Sequence, residues 1–167
     1  MITLDGKSLN LDSLWQIASG EKVSISSEAM EKVKASRAIV EKLIEEDRVV
    51  YGITTGFGHL CNTRIGRKDL ERLQTNLIRS HATGVGDPFD RESVRAMIAV
   101  RINSLLHGVS GVRPLVINTL VDLLNNDIVP FVPQQGSVGC SGDLAPLSHI
   151  MLVLMGEGEI LTGDCCH

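Results

Sequence analysis

Ser26-Ser27-Glu28-Ala29-Met30-Glu31-Lys32-Val33-Lys34-Ala35-Ser36-Arg37-Ala38-Ile39-Val40-Glu41-Lys42-Leu43-Ile44 is the stretch on which the reading of the fold turns. Ala29, Met30, Val33, Val40, Leu43 and Ile44 recur near the 3.6-residue period with charges between them, behind two serines suited to capping. The pattern predicts a long amphipathic helix. The same spacing returns downstream. Leu70, Leu73 and Leu77 lead to His81, which falls on the apolar face near the end of its helix. Val94, Met97, Ile98, Ile102 and Leu105 make another, closed near Gly108. Pro114 suits the first turn of a helix carried by Val116, Ile117, Leu120, Leu123 and Leu124. Pro130, Pro133, Gly136, Gly139 and Gly142 then break the period. A last helix is expected to run to Met155, with Asp143 as its cap and Gly156 at its end.

Upstream of the quoted stretch, Ile2-Thr3-Leu4-Asp5-Gly6-Lys7-Ser8-Leu9 alternates around an Asp-Gly pair, a hairpin signal. Asp12 is the expected cap of a short helix through Leu14, Trp15 and Ile17, and Val23-Ser24-Ile25 reads as a brief strand. The fold class is therefore mainly α with a small β-hairpin.

Composition bounds the function. The 167 residues suit an ordinary domain, and 43% hydrophobic with 22% charged residues supports a packed core rather than disorder. A net charge of −4 gives no general attraction to nucleic acid or an anionic membrane. One Trp, one Tyr and three Phe make a base-stacking surface improbable and leave Tyr51 as the sole phenol. Four cysteines form no disulfide framework, the opening Met1-Ile2-Thr3-Leu4-Asp5-Gly6 turns polar at once, and the apolar run 150–155 is far below a membrane span of ~20 residues. A soluble, reducing, cytoplasmic setting is expected. His59, His107 and His149 lack metal-ligand spacing and Cys165-Cys166-His167 lacks further ligands, so no metal is expected.

Two glycine clusters place backbone freedom beside reactive side chains: Tyr51-Gly52-Ile53-Thr54-Thr55-Gly56-Phe57-Gly58, and Gly136-Ser137-Val138-Gly139-Cys140-Ser141-Gly142-Asp143-Leu144-Ala145-Pro146-Leu147-Ser148-His149. With Leu73-Gln74-Thr75-Asn76-Leu77-Ile78-Arg79-Ser80-His81 between them, these strings resemble, in order, the hallmarks of the aromatic amino acid ammonia-lyase and aminomutase family. The resemblance implies a methylidene-imidazolone prosthetic group built from Cys140, Ser141 and Gly142. Cys140 stands in place of the family's usual alanine; its backbone enters the ring while the thiol stays outside. Glycine at 142 removes the Cβ that would crowd attack by its nitrogen, and Ser141 supplies the β-hydroxyl that must leave. The helix N-terminus that follows favours negative charge arriving at the group.

The resemblance further assigns the Tyr51 phenol to removing a β-proton from the substrate and Asp143 to a supporting role. It places His81 against the substrate. Ser80-His81 looks like the histidine-specific members, which convert L-histidine to urocanate and ammonia; some tyrosine aminomutases share the pair, and Thr54 stands where many histidine-specific members have asparagine. Phenylalanine or tyrosine lyase and tyrosine aminomutase chemistry stay open as alternatives, as does a non-catalytic helical oligomerisation module. The chain resembles the N-terminal third of family members, whose sites are completed by later residues and by neighbouring subunits of a homotetramer. On that basis residues 1–110 form an N-terminal, mostly helical domain, and 111–167 begin a central helical bundle carrying the loop. Alone, the chain is expected to be inactive and to expose apolar faces.

Overall fold

The first strand of the chain does not pair with the segment that follows it. The computed structural model describes residues 1–60, 65–139 and 143–162. In it β1 (Ile2–Leu4) pairs in parallel with β2 (Val23–Ile25), and α1 (Leu11–Ala18) makes the crossover that a parallel pair requires. The hairpin expected around Asp5-Gly6 is thus replaced by a parallel pair. The cause is local. Asp5 Oδ1 accepts hydrogen bonds from the Lys7 and Ser8 N–H groups, both at 2.8 Å, which takes the donors a returning strand would need. The Gly6 N–H goes to Asn103 Oδ1 at 3.0 Å, tying the turn to a helix far along the chain. α1 is capped by Asn10, not Asp12: Asn10 and Ser13 satisfy each other's N–H groups in a capping box.

Each helix expected along the rest of the chain is present, but an antiparallel strand pair, which the sequence reading did not expect, lies among them. α2 (Ser27–Glu45) begins behind Ser26, whose hydroxyl accepts from the Ala29 N–H, as its sequence suggested. α3 (Leu70–His81) buries no residue fully. β3 (Val85–Pro88) pairs antiparallel with β4 (Pro133–Gln135). Between them in sequence lie α4 (Arg91–Leu105), capped by the Asp90 carboxylate on the Ser93 N–H at 2.6 Å, and α5 (Pro114–Asn125), opened by its proline. α6 (Leu144–Leu154) closes the described chain. Among the described residues no helix is long and apolar enough to cross a membrane.

The core forms around α4, which packs against both α1 and α5. Val94, Ile98, Ala99 and Ile102 are fully buried there, together with Ile17 from α1 and Ile117 and Leu120 from α5. Residues on either side of position 110 therefore share one cluster. Each Val, Ile and Leu among them contributes about 1.5–3 kcal/mol by leaving water, which is why the period was readable. One charge sits among them. Arg95, 3% exposed, donates from Nε to the Ile17 carbonyl and from Nη1 to the Leu124 carbonyl and Asp127 Oδ1, each at 3.0 Å. Both carbonyls lie at helix C-termini, where a cation suits the dipole. Nearby, the Asn125 carboxamide accepts the Val23 N–H at 2.8 Å and donates to the Val23 carbonyl at 3.0 Å, so it covers the side of β2 away from β1.

Candidate functional site

The glycine-rich loop is built on the β3–β4 pair. Val85 lies opposite Gln135, and one step beyond them Gly84 meets Gly136. A Cβ placed on Gly136 would lie 2.8 Å from the Gly84 Cα, and Gly136 has φ +146°, so only glycine suits the position. The Gly84 N–H donates to His149 Nε2 at 3.0 Å, fastening α6 to the same point. Burial pushes the pKa of His149 below its ordinary 6.5, which keeps Nε2 unprotonated and able to accept. α3 packs along α6, and Arg79 grips the Glu157 carboxylate with both Nε and Nη2. The β3–β4 pair is thus fastened to the middle of α6, and the last turn of α3 is tied to the residues just past the end of α6.

Cys140, Ser141 and Gly142 lie outside the described residues. Ser137 Oγ donates to Asp143 Oδ1, and the Gly139 N–H donates to Ser137 Oγ at 3.2 Å. Asp143 takes the left-handed conformation (φ 54°, ψ 58°), which a short polar side chain tolerates. It occupies the N-cap position of α6 without making a capping hydrogen bond. The expectation that Asp143 caps is corrected: its carboxylate is engaged by Ser137 across the loop, and among the described residues no side chain caps the α6 amides.

Tyr51 stands in the turn after α2. Its ring is 61% exposed and meets Phe57 edge-on, with centroids 6.0 Å apart at 79°. Its Oη accepts from the Gly58 N–H at 3.5 Å. Two buried threonines knit the turn from within. Thr54 Oγ1 accepts from the Val50 N–H at 2.9 Å and donates to the Arg48 carbonyl, while Thr55 Oγ1 donates to the Gly56 carbonyl at 3.0 Å. Thr54, read beforehand for its bearing on the substrate, holds backbone. Among the described residues, the hydrogen bond and ring contact of Tyr51 both fall within its own turn.

His81 ends α3, half-buried, with Nδ1 2.7 Å from the Leu77 carbonyl and 3.1 Å from Ser80 Oγ. A carbonyl only accepts, so Nδ1 carries a proton, and in the neutral tautomer this selects Nε2 presents a lone pair. Among the described residues no group of three or more His, Cys, Asp or Glu could hold a metal ion; Cys165, Cys166 and His167 lie outside them. Two features went unread in the sequence: the Ser137–Asp143 bond and the Gly84–His149 bond. Only the six-residue separation of Ser137 and Asp143 hinted at the first. Nothing in the sequence linked Gly84 to His149.

Residues 9–166 match the sequence model of the family described as Aromatic amino acid lyase, and the chain belongs to that family. Within it, the chain is 53% identical over 161 residues to a histidine ammonia-lyase of Bacillus cereus, covering 96% of this chain and 32% of that protein. Among solved structures, histidine ammonia-lyase from Trypanosoma cruzi is 42% identical with a TM-score of 0.88, over 96% of this chain and 30% of that one. Tyrosine aminomutase from Streptomyces globisporus is 38% identical with a TM-score of 0.91, over the same shares. The chain spans about a third of the length of the curated relatives it matches.

Proposed function

We propose that the polypeptide carrying these residues eliminates ammonia from L-histidine to give urocanate. The observation that carries the reading is the fixed His81 imidazole, whose Nε2 lone pair can accept from a substrate imidazole N–H, in a chain 53% identical to a histidine ammonia-lyase. Two features suit a methylidene-imidazolone group at Cys140, Ser141 and Gly142. Among the described residues the amides that open α6 go without a side-chain cap, and Ser137 is hydrogen-bonded to Asp143 across the loop. When formed, the group supplies an electrophilic carbon, the former Ser141 Cβ. The α6 N-terminus offers partial positive charge beside it. Tyr51 accepts the substrate β-proton at Oη, its ring oriented by Phe57 and the Gly58 N–H.

The exposure of Tyr51 fits a site completed between subunits of a homotetramer and by residues beyond these 167. On this reading residues 111–167 open a longer helical layer, and the isolated chain is inactive. The test is turnover of L-histidine, L-phenylalanine and L-tyrosine by the complete polypeptide. Urocanate is expected from L-histidine, and Tyr51→Phe should lower kcat by about 10²–10⁴-fold. Consumption of tyrosine with L-histidine untouched would refute the assignment.

A further inference from the structure

We infer that Arg79 is a positioning residue for His81, fixing through its grip on Glu157 the direction in which α3 presents that imidazole. The inference rests on the L-histidine reading above, in which His81 Nε2 meets the substrate ring. His81 is pinned to its own helix, since Nδ1 bonds the Leu77 carbonyl at 2.7 Å, so the imidazole turns wherever α3 turns. Apolar packing holds α3 only loosely, because none of its residues is fully buried. A side chain reaches ~5–6 Å from the helix axis, so a roll of ~10° moves its tip by ~1 Å. A hydrogen bond lengthened by ~1 Å is no longer one.

Arg79 stops that roll. It stands two residues before His81, ~200° away around the axis, so a hold on one sets the direction of the other. Its Nε donates to Glu157 Oε2 at 2.8 Å and its Nη2 to Oε1, a two-pronged geometry that fixes direction as well as distance. At a partly exposed position that geometry is what separates a holding pair from an ion pair of little consequence. Glu157 is a firm anchor. Its N–H donates to the Leu152 carbonyl at 3.0 Å behind Gly156, which takes φ 76°, so the turn that ends α6 fixes its backbone. The hydrogen bonds from Arg79 hold the Glu157 carboxyl below its ordinary pKa, and the pair stays ionised at neutral pH. Among the described residues no other α3 side chain is hydrogen-bonded to another element. The Gly84–His149 bond lies beyond Ala82, the C-cap of α3, and holds the strand that follows rather than the helix.

The test is steady-state turnover of L-histidine by the complete polypeptide, beside its thermal unfolding midpoint. Arg79→Gln and Glu157→Gln should each raise KM about tenfold, the worth of the one hydrogen bond that His81 makes to substrate. Their kcat should stay within about twofold of the parent, because that contact is made equally before and during the reaction. The midpoint should hardly move, since both side chains are partly exposed. In a His81→Ala background Arg79→Gln should raise KM by less than about twofold, because the group it positions is gone. The full tenfold rise in that background overturns the inference, whatever the midpoint does. Either single variant leaving KM unchanged overturns it as well; an unchanged Glu157→Gln would mean that Arg79 acts without its partner. A parent that leaves L-histidine untouched instead overturns the histidine reading, and the inference with it.

Discussion

Replacing Arg95 by methionine keeps the bulk of the buried stem and removes every donor it carries. Two of its bonds, to the Ile17 and Leu124 carbonyls at 3.0 Å, are buried. Each carbonyl keeps another partner, the Gly20 N–H at 3.1 Å and the Asp127 N–H at 3.3 Å, so neither is orphaned. The loss is then that of two charge-assisted bonds at the low end of their range, about 1.5 kcal/mol each and about 3 kcal/mol together. The Asp127 carboxylate is 63% exposed and adds little to this. For a chain of this size Arg95→Met should lower the unfolding midpoint by roughly 6–12 °C. Far-UV circular dichroism on heating, with a urea titration at the same protein concentration, measures it. Asp127→Asn, at a position whose φ of 56° asparagine tolerates, should cost under ~1 kcal/mol. A loss under ~1 kcal/mol for Arg95→Met, or equal losses for both variants, would refute the account of Arg95 as a joint cap of α1 and α5.

The remaining expectations concern the base of the loop. Gly136→Ala meets backbone at 2.8 Å in a conformation reserved for glycine and should cost about 1–3 kcal/mol, read by the same thermal assay. His149 has a depressed pKa, so on acidification the unfolded chain takes up its proton first. Its stabilising effect is intact above the unfolded value of 6.5 and is lost as pH falls from there toward the lower folded value. His149→Gln, whose carboxamide oxygen can accept the Gly84 N–H without titrating, should flatten that limb of a stability–pH curve.

How much was legible in the sequence followed from how local each cause is. The starts of α2 and α5 were readable because a capping serine and an N1 proline act on their own turn. The partner of β1 was not. An Asp-Gly pair signals a hairpin, but Asp5 spent its carboxylate on the donors a second strand needs, and Asn103 took the Gly6 N–H. Asp143 failed as a cap because the rule reads residue type and position, whereas its left-handed backbone turned the carboxylate to Ser137. Arg95 was invisible for another reason. Its carbonyl partners come from α1 and α5, and no spacing within α4 encodes them. Tyr51 and His81 stood out through their motifs. The tautomer of His81 and the exposure of Tyr51 required coordinates.

The carboxamide of Asn125 has a consequence for how this chain meets other copies of itself. A two-stranded sheet ordinarily offers two open flanks to any stray extended peptide. Here the outer flank of β2 is plugged at Val23 by a side chain imitating a neighbouring peptide group, so an intruding strand finds both main-chain partners of that residue already taken. Growth of a fibril-like ribbon from this flank is blocked at its first rung.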